Sequence, residues 1–202
     1  MEQINSYKDF LKKLEEIKKG VKKKLLVHAC CCPCSSEVID FLKDYFDITI
    51  YYYNPNIYPK DEYDKRYNEF EKLPYDFKLV NGTYDESIYD NAVKGYEKEG
   101  EFSKRCYKCF LFRMEEACKY AKDNNYDYFT TTLSISPYKN SKWINEIGYM
   151  LESKYHMNYL YSDFKKMDGY KKSIELSNKY NLYRQDYCGC KYSLEEKNRP
   201  RE

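Results

Sequence analysis

All of the nine cysteines except Cys118 fall in clusters: Cys30, Cys31, Cys32 and Cys34, then Cys106 and Cys109, then Cys188 and Cys190. Cys106 and Cys109 are three apart, which on a helix puts both sulfurs on one face. A helix N-terminus there favours thiolates, and Arg105 and Lys108 add positive charge. Cys30 and Cys31 are adjacent, and Cys34 lies three residues beyond Cys31. Adjacent side chains diverge on regular structure, so both sulfurs face one metal only in a loop, and Pro33 is expected to break regular structure there. Two such pairs brought together make a four-thiolate site suited to zinc or to a 4Fe-4S cluster. A structural zinc and a disulfide framework are the plainer readings. Thiols in excess of four, placed at the functional edge of an α/β sheet, favour redox iron.

Cys188-Gly189-Cys190 is tighter than a Cys-x-x-Cys pair. It suits a reducible disulfide, metal ligation, pocket-lining thiols or a purely structural role. His28 stands two residues before Cys30, where it can hydrogen-bond a cluster sulfur, move a proton or simply close a strand end. Cys118 falls on an apolar helix stripe and reads as a small core residue. His156 has no motif around it and reads as surface.

These residues need elements to position them. Ile4, Tyr7, Leu11, Leu14, Ile17 and Val21 recur at three- and four-residue spacing, an amphipathic helix with a Lys-rich outer face ending near Gly20. It is read as a segment of its own over 1–23, followed by one α/β catalytic domain over 24–202. Leu25 to Ala29 is an apolar run, read as a buried strand that delivers the first Cys cluster at its C-terminal end. Ser35 and Ser36 are expected to cap a helix through Tyr45. Strands are expected at Asp47–Tyr53, Phe77–Val80, Tyr126–Leu133 and Tyr155–Leu160. Helices are expected at Lys60–Lys72, Asp85–Lys98, Cys106–Asp123, Ser141–Met150 and Tyr170–Tyr180. Alternating strands and helices predict an α/β fold with a mostly parallel sheet flanked by helices. Ligands of such sheets bind outside the carboxyl ends of the strands. The Cys run, Asn54-Pro55-Asn56 and the 134–140 loop all follow strands, and so are expected to share one edge.

Composition sets the outer bounds. In 202 residues, 42% hydrophobic and 34% charged, Lys plus Arg number 35 against 33 acids, a net charge of +2. This excludes a disordered tail and a histone-like binder of nucleic acid, though not a local basic face. No apolar run reaches the length of a bilayer span, and the charged N-terminus lacks the apolar core of a signal peptide. A cytoplasmic, reducing location and no membrane partner are the resulting expectations.

Taken in order, the motifs resemble one family. His28-Ala29-Cys30-Cys31-Cys32-Pro33-Cys34 resembles the HxCCxPC opening of the epoxyqueuosine reductases of the QueH type. Tyr53-Asn54-Pro55-Asn56-Ile57 is similar to that family's second motif. Arg105-Cys106-Tyr107-Lys108-Cys109, with Arg113 in register, resembles its RCxxCxxxR segment. Thr132 to Asn140 is similar to its TTLxxSPYK loop, and Tyr183 to Cys190 to its YRQxYCGC ending, preceded by Asp163-Phe164-Lys165 and Gly169-Tyr170. The likeness spans residues 24 to 193, and six motifs in order make it specific.

The resemblance implies reduction of epoxyqueuosine to queuosine at the wobble position of a tRNA anticodon, without cobalamin. It implies a 4Fe-4S cluster beside a mononuclear iron, on a layer like that of HUP-type nucleotide-binding domains. On that pattern Cys30, Cys31, Cys106 and Cys109 hold the cluster. Cys34 is the candidate further ligand of the second iron, at a position where some relatives carry a carboxylate. Cys32 falls where the family has Ala and is left out. Proton donors are sought in Tyr187, His28, Cys188 and Cys190, and an external donor such as a ferredoxin or flavodoxin must supply electrons. RNA contacts are expected from Asn54, Asn56, Arg113, Tyr138, Lys139 and Arg184. Tyr53 and Tyr58 are further base platforms, Lys165 a further backbone contact, and Asn140 with the Ser141 helix start a phosphate cradle. The alternatives are a zinc-stabilised RNA-binding module and an ATP-dependent tRNA thiolation enzyme. Against the latter, the Cys run stands where an SGGxDS-like phosphate loop would follow the first strand.

Overall fold

The apolar run Leu25–Val27 forms the middle of the sheet and is wholly buried, as expected of a strand covered on both faces. The computed structural model describes residues 7–199. Its elements are α1 (Tyr7–Lys18), β1 (Lys23–His28), α2 (Cys32–Leu42), β2 (Phe46–Tyr52), α3 (Lys60–Asn68), β3 (Lys78–Asn81), α4 (Glu86–Ala92), α5 (Lys104–Asp123), β4 (Tyr128–Thr131), α6 (Ser141–Tyr155), α7 (Gly169–Lys179) and α8 (Lys191–Asn198). The strands lie in the order β3-β2-β1-β4, every pair parallel. The chain steps outward from β1 through β2 to β3, then crosses to the far side of β1 for β4. The order therefore reverses between β1 and β4, the crevice in which ligands of open parallel sheets sit. Both the Cys run and the 132–140 loop open into that crevice.

Helices cover the sheet, with α2 against α7 and α5 against α6. Val38, Ile39 and Leu42 of α2, Met114, Ala117, Cys118 and Ala121 of α5, and Ile144, Ile147 and Leu151 of α6 are buried in one core. Helix α1 joins that core through Phe10 and Leu14. Phe10, not Leu11, completes its inner stripe: Leu11 and Val21 are exposed, and Ile4 lies outside the described residues.

Four local expectations are corrected. Helix α2 starts at Cys32, ahead of the serines, because Pro33 occupies its first turn, where a missing N–H costs nothing. The Ser35 and Ser36 hydroxyls instead donate back to the carbonyls of Cys31 (2.8 Å) and Pro33 (2.9 Å). The fifth strand reduces to a single bridge between Phe129 and Tyr159. Asn145 then captures both the N–H and the carbonyl of Ser162, at 3.0 and 2.8 Å, and draws the chain toward α6. The helix expected over 85–98 stops at Ala92, where the sequence turns polar and glycine-containing. Helix α8 follows the last Cys pair and was not anticipated.

One glycine fixes the wall that carries Tyr170. A Cβ on Gly169 would stand 1.8 Å from the Phe164 carbonyl oxygen, a backbone atom with nowhere to go. Gly169→Ala is expected to destabilise by about 2–3 kcal/mol, toward the upper end of overpacking costs. Thermal denaturation checks this, and an unchanged midpoint would show that the close approach is not tight.

Candidate thiol-rich active site

Strand β1 stays paired to its end, with the Ala29 N–H donating to the Tyr51 carbonyl at 3.1 Å. The chain then leaves the sheet, and Cys31 becomes the extended cap of α2. This break brings the adjacent sulfurs of Cys30 and Cys31 within 3.9 Å, and Cys34 turns back from the first helical turn to hydrogen-bond both. Hydrogen bonds from Cys31 and Cys34 push the Cys30 thiol below its ordinary range, while that same pairing pushes Cys31 up to about 11. Cys32 faces away, donating to the Glu69 carbonyl at 3.3 Å. Cys118 is core, as expected.

The second thiol pair begins α5. Ser103 caps the helix, its hydroxyl accepting from the Arg105 N–H at 3.2 Å. Cys106 is half-buried and Cys109 buried, and burial pushes Cys109 up to about 12. The backbone N–H groups of Phe102 and Ser103 face the Cys106 sulfur and partly offset its own burial.

The third pair divides. Cys188 is exposed and lines the cleft, whereas Cys190 is buried and caps α8, accepting from the Ser193 N–H at 3.4 Å. The loop is held by Arg66, whose Nη1 and Nη2 donate to the carbonyls of Cys188 (3.2 Å) and Tyr187 (3.4 Å). Gly189, at φ 125°, takes a conformation that side chains rarely adopt. Its carbonyl accepts from the Tyr58 N–H at 2.8 Å.

These groups meet at a cleft of about 610 Å³, lined among others by Cys34, Cys106, Cys188, Lys139, Arg184 and Gln185. Of the cations at or beneath it, Arg113 and Lys139 pair with no carboxylate among the described residues. Arg113 is buried and bonds only neutral acceptors, the Cys109 carbonyl at 3.2 Å and Asn54 Oδ1 at 3.1 Å. Burial would weaken the charge of Lys139, but the thiols of Cys30, Cys188 and Cys34 hold its pKa above the ordinary lysine value. Buried cations require anions nearby, and the thiols are the groups that can supply them.

Several expected roles change with position. Asn54, Asn56 and Arg113 are buried beneath the cleft surface, and among the described residues Asn56 Oδ1 has no hydrogen-bond partner. Asn54 ties Arg113 to the end of β1 by donating to the Ala29 carbonyl at 2.8 Å. Tyr53 is likewise buried, stacked on Tyr51. His28 is fully buried with both ring nitrogens engaged, by Thr131 Oγ1 at 2.9 Å and the Tyr53 carbonyl at 3.2 Å. Burial and Arg113 lower its pKa to about 3, which favours the neutral ring. The Tyr187 hydroxyl donates to the Tyr58 carbonyl at 2.5 Å, and burial pushes it up to about 12. Asn140 itself accepts from the N–H groups of Lys142 and Trp143, at 3.0 and 3.3 Å, and so closes the helix end expected to cradle phosphate. Arg184 lines the cleft but also braces α7, donating to the Ser173 carbonyl at 3.2 Å. Lys165 is spent on Ser141 and Asp163. Tyr138 and Lys139 remain on the cleft as expected.

Two residues gained no role from the sequence. Gln185 Nε2 donates to the Cys31 sulfur at 3.2 Å, while its Oε1 is buried with no hydrogen-bond partner among the described residues. Arg66 lies in a charge-rich stretch where a buried pair looks like any surface pair. Its only signal is Glu62 four residues before it.

The donor set suits an iron–sulfur group by its chemistry: soft thiols from two elements, with cations that need anionic neighbours. Among the described residues no three His, Cys, Asp or Glu side chains already stand in metal-holding geometry, so a metal would draw the two thiol sets together. No helix among them is long and apolar enough to cross a membrane.

The sequence profile of the family described as "Epoxyqueuosine reductase QueH" matches residues 25–196. Proteins of that name are similar to this chain. One from Staphylococcus epidermidis is 42% identical over 184 residues, 86% of this chain and 77% of that protein. One from Staphylococcus aureus is 40% identical over 200 residues, 93% and 83% of the two chains. One from Thermotoga maritima is 37% identical over 179 residues, 86% and 91%.

Proposed function

The chain belongs to the epoxyqueuosine reductase QueH family, and from that membership we propose that it reduces epoxyqueuosine to queuosine in the anticodon loop of tRNA. Removing an epoxide oxygen to leave an alkene takes two electrons and two protons and releases water. The observation that carries the reading is the meeting of two thiol sets, after β1 and at the start of α5, around one cleft at the point where the strand order reverses.

On this reading Cys30, Cys31, Cys106 and Cys109 hold a 4Fe-4S cluster and Cys34 serves an adjacent iron. When bound, such a group supplies single electrons and a Lewis-acidic position. The chain's own residues do the rest. Arg113, braced by Asn54, balances thiolate charge from beneath. Gln185 orients the Cys31 sulfur through its N–H. Lys139 brings a positive charge to the cleft, where developing negative charge on a departing oxygen is stabilised. Cys188 is the exposed thiol on the cleft and the candidate to hold or pass a proton there. His28 and the Tyr187 hydroxyl, already committed, keep the walls in place. Tyr138 and Arg184 offer a stacking face and a cation to a single-stranded loop. A protein donor, a ferredoxin or flavodoxin, refills the electrons.

The test is anaerobic purification with iron, sulfide and zinc counted per chain, followed by turnover of epoxyqueuosine-containing tRNA with a chemical reductant. About five irons and four sulfides, with queuosine formed, is the expected result. One zinc, no sulfide and no turnover would overturn the reading.

A further inference from the structure

Two aromatic side chains at the cleft stand against the hydrophobic effect. Phe102 is 59% exposed and Tyr138 70% exposed, yet both line the same cleft. They arrive from different loops, Phe102 from the segment between α4 and α5, Tyr138 from the segment after β4. Among the described residues neither ring stacks on another aromatic or lies under a cation.

Phe102 carries a second mark. Its backbone is left-handed, at φ 62°, a conformation costly for a bulky side chain and one that persists only where its surroundings impose it. Those surroundings are the cap of α5. The Ser103 hydroxyl donates to the Gly100 carbonyl at 2.7 Å, and the N–H groups of Phe102 and Ser103 face the Cys106 sulfur. One turn therefore fixes both a thiol of the site and an exposed ring four residues before it. Packing alone would not select this arrangement, because the ring buries little.

We propose that Phe102 is a substrate-positioning residue, stacking with Tyr138 on the nucleobase that carries the reacting group. The proposal rests on the RNA substrate put forward above. Lys139 and Arg184 on the same cleft favour a base on a phosphate backbone over an uncharged apolar ligand. Paired aromatic faces with cations beside them are the means by which proteins hold single-stranded nucleic acid.

The experiment uses the iron-loaded protein and an anticodon stem–loop RNA carrying epoxyqueuosine. Phe102→Leu keeps an apolar side chain and removes the aromatic face; Phe102→Trp restores one. Phe102→Leu is expected to raise KM about tenfold, the order of one lost stacking contact, with kcat, iron content and melting temperature nearly unchanged. Phe102→Trp should recover the parent KM. A stem–loop with 2-aminopurine at the wobble position should be quenched by the parent and by Phe102→Trp, but not by Phe102→Leu. If the parent turns over and Phe102→Leu keeps its KM and quenching, the proposal fails alone. If Phe102→Leu loses iron and kcat together, the ring serves only the α5 cap, and the proposal also fails. If the parent itself neither binds nor turns over the RNA, the substrate reading falls first and takes the proposal with it.

Discussion

If these thiols hold the proposed cluster, alanine in place of Cys30, Cys31, Cys106 or Cys109 is expected to abolish iron–sulfur absorption and turnover, while alanine in place of Cys32 or Cys118 is expected to leave both near the parent level. The contrast follows from where each sulfur points. Cys30 and Cys31 lie 3.9 Å apart with Cys34 bonded to both, whereas Cys32, between them in sequence, faces the Glu69 carbonyl. Loss of an outer-shell partner already costs a metal site roughly 10–100-fold, and loss of a ligand should exceed that. Cys34→Ala is expected to keep four sulfides but lose about one iron, since a cluster of this type needs four thiolates and four others remain. Cys118→Ala should lower stability by about 1 kcal/mol, a small core truncation, without touching metal content. Iron and sulfide analysis beside turnover decides the matter. A Cys32→Ala protein without iron, or a Cys109→Ala protein with a full complement, would show that the assignment of thiols is wrong.

Arg66→Ala is expected to be among the most destabilising single changes in the chain. Arg66 and Glu62 are 1% and 10% exposed and meet at 2.7 Å. The guanidinium also covers the Tyr187 ring, 5.3 Å from its centroid, and binds two carbonyls of the loop that carries Cys188. Removing one partner of a buried pair leaves the other uncompensated, at a cost of about 3–5 kcal/mol. For a chain of this size that is a fall of roughly 10 °C in melting temperature. Arg66→Lys should fall between, because an ammonium keeps the charge but not the planar fork that reaches carboxylate and carbonyls at once. Arg66→Ala combined with Glu62→Gln should recover part of the loss. Thermal melts of the set are the check, and an Arg66→Ala protein as stable as the parent would show that the pair contributes little.

How much of this was legible in the sequence depended on whether a signal was local. The apolar run 25–29 and the stripe of α5 are periodic, so β1 and α5 could be read directly. The Cys run following a strand pointed to the edge of the sheet where the cleft lies. Motif order supplied what spacing alone left open, the family to which the chain belongs. What remained hidden was set by tertiary contact. Asn54 and Arg113 look like surface polar residues until each is seen holding the other beneath the thiols. The two histidine nitrogens of His28 are occupied by residues 103 and 25 positions away. Pro33 signalled a break, yet it served equally well as the opening of a helix, because the first turn has no use for its missing N–H.

The seat of Phe10 ties α1 to the wall of the cleft. Its ring is buried against Phe41, Tyr161 and Phe164, at 6.2, 5.9 and 6.1 Å between centroids, and Phe164 carries the carbonyl that abuts Gly169. The family profile begins at residue 25, but the match to the Staphylococcus aureus relative covers 93% of this chain and so reaches into α1, a segment that the wall of the cleft leans on. Drift in α1 is thereby constrained by the shape of a cleft it never touches.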